Sequence, residues 1–165
     1  MNDERISRIA DAVVRGIKSG KTQNDPSKLN LKRAKALIAK IEEKATEMGL
    51  KVVVAVSNEA ARPMAVECMD DAYIASYDAA LNKAFTVVAL KMSTKTLSTL
   101  AAPGGSLYGI QNTNNGKIVI FGGGDPLVYN GNIIGGLGVS GGSEEQDTAL
   151  SAYGASIIDD IMKNF

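Results

Sequence analysis

Apolar positions near the start of the chain recur with helical spacing. Ile6, Ile9, Ala10, Val13, Val14 and Ile17 fall on one stripe, and Arg5, Arg8, Asp11, Arg15 and Lys18 fall on the opposite face. The pattern predicts an amphipathic helix over residues 1–18. Residues 19–30 (SGKTQNDPSKLN) are polar, hold Gly20 and Pro26 and have no period, so they read as a linker that sets the first helix apart. A second helix is predicted from Leu31 to Met48, with Leu31, Ala34, Ala36, Leu37, Ile38, Ile41, Ala45 and Met48 forming a broad apolar face and Gly49 placed to end it.

The period then changes. Lys51 to Val56 (KVVVAV) is a β-branched run, and Pro63 to Met69 is its predicted hairpin partner. Helical spacing returns from Ile74 to Met92, with Ala75, Ala79, Ala80, Phe85, Val88 and Ala89 expected in the core, and a short helix follows over 94–100. Strand-like runs come next at Lys117–Phe121, Leu127–Tyr129 and Asn132–Val139, the last two joined by Asn130-Gly131, a strong type I′ hairpin signal. Ser143 and Gln146 have capping-box spacing and open a final helix predicted to reach Lys163. Antiparallel hairpins with helices in separate stretches indicate an α+β domain over residues 31–165.

Composition narrows the chemistry. The 165 residues contain no histidine and no tryptophan, and Cys68 is the one cysteine, which excludes Ser-His-Asp and Cys-His catalysis, His-ligated zinc and an internal disulfide. Cys68 is read as a small core residue. Basic and acidic residues balance at 18 each, which argues against nucleic acid as a partner. Residues 1–51 nevertheless hold 12 of the basic residues and 7 of the acidic ones, so the front of the chain is basic. No run of about 18 apolar residues suggests a membrane span, and the charged N-terminus does not read as a signal peptide. A cytoplasmic, soluble protein is expected.

Glycine is concentrated between Gly104 and Gly142, where 13 of 17 lie. Gly136 to Gly141 matches G-x-G-x-x-G, yet the span from there to Phe165 leaves no room for the second parallel strand and acidic residue of a dinucleotide site. No G-K-[ST] follows either glycine cluster. The three glycines before Asp125 and Pro126 imply either a bulge opening a ligand pocket or a sharp bend between strands. The acidic neighbours Asp70-Asp71, Glu144-Glu145 and Asp159-Asp160 diverge in direction and read as helix-end or solvated charges rather than paired catalytic carboxylates.

The run from Gly122 to Asp147, GGGDPLVYNGNIIGGLGVSGGSEEQD, together with Val53–Val56, Met69-Asp70, Ser76 and the stretch Ala80–Thr86, closely resembles the GlcG/HbpS family, which includes the C-terminal domain of PduO-type proteins. The resemblance covers about residues 31–163. It implies a profilin-like α+β fold with a five-stranded antiparallel sheet flanked by helices, assembly into homo-oligomers, and a haem or corrinoid (cobalamin) role. Its ligand-binding residues would be Gly123, Gly124, Asp125, Pro126, Gly138, Ser140, Gly141, Asp147 and Lys83. Histidine axial ligation is excluded here, so the available iron-ligand types are Tyr73, Tyr77, Met69 and Cys68. Two further departures are Cys68, where relatives often carry arginine, and Ser57-Asn58, where the first strand usually ends in an acid.

Residues 1–18 resemble the encapsulation peptides that direct enzymes into bacterial microcompartments, which implies shell or cargo proteins as partners and a location inside such a compartment. Packing of this helix on its own domain, or at an oligomer contact, is the competing reading. Three functions follow from the whole sequence. The first is an accessory protein with a tetrapyrrole. The second is an oligomeric interaction protein that has lost its ligand. The third is an enzyme acting on a small anionic metabolite through Asp125, Lys83, Ser140 and Asp147. A non-catalytic role is the leading expectation.

Overall fold

The computed structural model describes residues 25–165, so the predicted helix over 1–18 and most of the linker lie outside the described residues. The packed body begins at Leu29, which is buried. Helix α1 (Leu31–Glu47) starts on Asn30, whose side chain accepts the Arg33 N–H at 2.9 Å and satisfies one of the free donors at the helix start. Ala34, Leu37, Ile38, Ile41 and Ala45 of its predicted apolar face are fully buried, whereas Leu31 is 54% exposed and Ala36 and Met48 are half-buried. Arg33 is buried as well. Its guanidinium donates to the Lys28 carbonyl at 2.6 Å and the Met162 carbonyl at 2.9 Å, tying both ends of the described chain to α1.

Strands β1 (Val53–Asn58) and β2 (Pro63–Cys68) form the predicted hairpin, followed by helices α2 (Ser76–Leu90) and α3 (Thr94–Ala101). After two short 3-10 turns, β3 (Gly124–Tyr129) and β4 (Asn132–Ser140) form the second hairpin around Asn130-Gly131, both at positive φ as the turn requires. Helices α4 (Glu144–Ser156) and α5 (Ile158–Asn164) close the chain. The sheet is antiparallel throughout, in the order β2-β1-β4-β3. Pro126 sits on the edge strand β3, where its missing N–H costs no ladder bond.

Alternation along the strands separates two layers. Val54 and Val56 of β1 and Leu137 and Val139 of β4 join the main core with α1, α4 and α5. Val53 and Ala55 turn to the other face and pack on Ala80 and Ala84 of α2. That second face is built from small residues, and the reason is geometric. A Cβ on Gly136 or Gly138 would collide with the carbonyls of Ala84 and Ala80, so glycine at these alternate positions lets α2 lie directly on the sheet backbone. Gly154 does the same for α4, where a Cβ would press on Leu137 and Ile41.

Four expectations are corrected. The sheet has four strands among the described residues, not five, because residues 117–121 pair with none of them. The Val119 N–H donates to the Thr86 hydroxyl of α2 at 3.0 Å, so a helix side chain takes the bond that a neighbouring strand would have made. The final helix is two helices, interrupted at Ile157 with φ −95° and ψ 3°. Cys68 is exposed at the end of edge strand β2 rather than a core residue. The buried face of α2 is Ser76, Ala80, Lys83, Ala84, Thr86 and Val87, so of the six predicted core positions only Ala80 is buried. The periodicity was obscured because a lysine and a threonine occupy the inward face.

Candidate functional site

The glycine triplet folds around one buried cation. Lys83 projects from α2 and has no exposed surface. Its amine donates to the Asp147 carboxylate (Oδ2, 2.9 Å) and to the Val139 carbonyl at 2.7 Å, and it faces the ring of Phe121 at 4.9 Å from the centroid. Gly123, at φ +105°, passes so close that a Cβ there would stand 2.6 Å from the Lys83 amine. Only glycine fits, for both conformation and space.

Each glycine of the triplet is held separately. The Gly122 N–H donates to Glu144 at 3.1 Å, the Gly123 carbonyl accepts the Val139 N–H at 2.8 Å, and the Gly124 N–H donates to the Thr94 hydroxyl at 2.9 Å. Asp147 lies in the first turn of α4, which Ser143 and Gln146 start with the predicted capping box. Its second oxygen accepts the Gly142 N–H at 2.8 Å, so one carboxylate binds the glycine turn and the lysine together. Gly141, at φ +152°, packs against Lys51 and Val52, where a Cβ would strike the Lys51 carbonyl.

Electrostatics follow from this enclosure. Burial pushes the Lys83 ammonium below its ordinary range, while Asp147 and, more weakly, Glu144 pull it back. Burial likewise pushes the Asp147 carboxyl up, opposed by Lys83 and by the Gly142 and Gly141 N–H groups. Glu144 is held below its ordinary value by the Gly122 N–H and by Lys95. We assign the pair as ionised at neutral pH, since both charges have close, correctly directed partners.

The expected ligand-binding residues therefore divide. Lys83, Asp147, Gly123, Gly124 and Gly141 belong to the clasp or its immediate walls. Asp125 points elsewhere and accepts the Ser151 hydroxyl at 2.6 Å, and burial pushes its carboxyl up against that bond. Ser140 donates to the Ser76 hydroxyl at 3.3 Å, and Gly138 is a helix-packing position. Pro126 is a sheet-edge residue. The Lys83 amine makes two hydrogen bonds, faces the Phe121 ring and has no exposed surface, which is the arrangement of a structural clasp. Thr94, Phe121 and Glu144 are clasp members that sequence reasoning missed. Glu144 was legible only as a charge at a helix start, and nothing in the spacing tied Thr94 to the triplet.

The iron-ligand candidates lie away from the clasp. Tyr73 and Tyr77 are 74% and 46% exposed, and Ile74 beside them is 97% exposed. Cys68 is exposed, whereas Met69 is half-buried against the main core. The depression next to Cys68 and Met69 is open and carries Glu42, Glu43 and Asp70. Tyr73, Tyr77 and Cys68 therefore lie at the surface rather than inside an enclosed cavity. Among the described residues no group of three His, Cys, Asp or Glu side chains is placed to hold a metal ion. No described helix is long and apolar enough to cross a membrane.

A four-stranded antiparallel sheet between two helical layers, with a glycine clasp over a buried lysine, defines the molecule as an α+β domain of the kind seen in the PduOC–haem complex. That structure is 36% identical, with a TM-score of 0.75 over 78% of this chain and 94% of the other. The chain belongs to the family described as "Haem degrading protein HbpS-like", whose model matches residues 29–156. It is 43% identical to an uncharacterised 15.0 kDa protein of the dhaT-dhaS intergenic region of Citrobacter freundii, over 74% of this chain and 87% of the relative. It is 33% identical to the corrinoid adenosyltransferase PduO of the same organism, over 88% of this chain but 44% of that longer protein.

Proposed function

We propose that this protein is an oligomeric accessory protein that binds a tetrapyrrole, haem or a corrinoid, at its surface. The observation that carries the reading is the likeness to the PduOC–haem complex combined with the exposed ledge of Tyr73, Ile74 and Tyr77 at the start of α2. These three large apolar or aromatic side chains, left in solvent within five positions of one another, would pack on a planar ligand, and a second subunit would cover the ligand's other face. The phenol oxygens of Tyr73 and Tyr77 are the exposed donors for iron. Residues 1–18, read from the sequence as an amphipathic helix, would direct the protein to a bacterial microcompartment.

Titration of the full chain with haemin and with a cobalamin, followed by absorbance, tests the ligand. A saturable spectral change that shrinks in Tyr73→Ala/Tyr77→Ala is expected, and an unchanged spectrum at stoichiometric protein would refute the reading. Deletion of residues 1–20 from a fluorescent fusion should abolish encapsulation, and retained encapsulation would refute targeting.

A further inference from the structure

A separate cleft of about 320 Å³ opens where the β1–β2 turn meets the middle of α2 and Lys117. Its charged lining residues are both cations, Arg62 and Lys117, with Asn82 beside them and apolar walls from Phe85 and Pro63. The ion pairs among the described residues leave both cations out. The Lys117 amine lies 5.8 Å from the centroid of the Phe85 ring, which also lines the cleft.

The turn carrying Arg62 is pinned before any ligand arrives. The Asn58 side-chain oxygen accepts the N–H groups of Ala60 and Arg62, both at 3.0 Å, and the Asn58 N–H donates to the Arg62 carbonyl at 2.9 Å. The pinning forces Ala61 to φ +57°, a left-handed conformation that a residue with a Cβ rarely adopts. The anchored turn fixes the backbone from which Arg62 projects, so that backbone has little left to order on binding.

We infer that this cleft binds a small organic phosphate monoester. Two cations without a carboxylate among the lining residues match a dianionic head group, since guanidinium and ammonium are the side chains that bind phosphate oxygens most strongly. Phe85 and Pro63 provide the apolar surface for the organic part, and the cleft's volume suits a compact metabolite. The Lys83 clasp is not involved, and the inference is independent of the tetrapyrrole reading.

The test is a 15N–1H NMR titration of the full-length protein with phenyl phosphate. Saturable shifts at Ala60, Ala61, Arg62 and Asn82 are expected at up to millimolar ligand. Arg62→Ala/Lys117→Ala should weaken binding at least tenfold, whereas Lys32→Ala/Lys163→Ala, which removes equal charge elsewhere on the exposed surface, should not. Inorganic phosphate should bind more weakly than phenyl phosphate because it gains nothing from Phe85 or Pro63. No saturable shifts, shifts centred elsewhere, or equal weakening by the control pair would overturn the inference. If the first double variant fails to fold by circular dichroism, Arg62→Gln and Lys117→Gln carry the same comparison singly.

Discussion

Replacing Asp147 by Asn removes the charge that balances Lys83 while keeping an oxygen to accept the Gly142 N–H. The side chains of Lys83 and Asp147 are 0% and 5% exposed, so neither charge has water to fall back on. Breaking such a pair from one side costs about 3–5 kcal/mol, because the remaining ion stays buried without its partner. With a urea slope of about 1–3 kcal/mol/M, the denaturation midpoint should fall by at least about 1 M. Lys83→Met should cost a similar amount, since it strands the carboxylate. The double variant Lys83→Met/Asp147→Asn leaves neither group charged and should be more stable than the sum of the single losses requires.

The pH dependence gives an independent check on the same substitution. Without Asp147 to oppose burial, the folded-state Lys83 value drops further below the ordinary ~10.4 of the unfolded chain. Between those two values the unfolded state binds more protons, so the stability of Asp147→Asn should rise with pH relative to wild type across that window. Urea denaturation of the four proteins at neutral and alkaline pH reads both quantities. Additive single and double losses, or a single variant within about 0.5 kcal/mol of wild type, would show that the Lys83–Asp147 contact does not hold the glycine loops.

Gly138→Ala forces a methyl into the Ala80 carbonyl and should cost about 3 kcal/mol or more, read as a lowered melting temperature; unchanged stability would mean that α2 does not rest on the sheet backbone. Asp125 has its carboxyl pushed up by burial, against the Ser151 hydrogen bond. Its contribution to stability is therefore fully present below the unfolded value of ~3.9 and is lost as pH rises through the folded value. The stability of wild type relative to Asp125→Asn should accordingly decline above about pH 4 and then level off, and a flat difference would contradict the assigned burial.

Most elements were legible in the sequence because their signals are local. The Ile and Leu stripe of α1, Asn130-Gly131 as a turn and the Ser143–Gln146 capping box each depend on residues within one turn or two of each other. The fifth strand failed for the opposite reason. Residues 117–121 have a strand's composition, but whether they pair depends on what lies alongside, and what lies alongside is Thr86.

The glycine-rich run shows the same division. Its concentration between residues 104 and 142 identified the family, and the sequence also supplied the absence of histidine and the basic front of the chain. Which glycines serve the packing of α2, which enclose the Lys83 amine, and that Asp125 and Ser140 belong to neither, depended on contacts between residues separated by 26 to 64 positions. Backbone conformation and capping act between near neighbours and can be read along a chain. Burial of a charge, or a site for a missing Cβ, exists only once distant segments have been brought together, so the lysine that read as a possible ligand group became the cation at the centre of the fold.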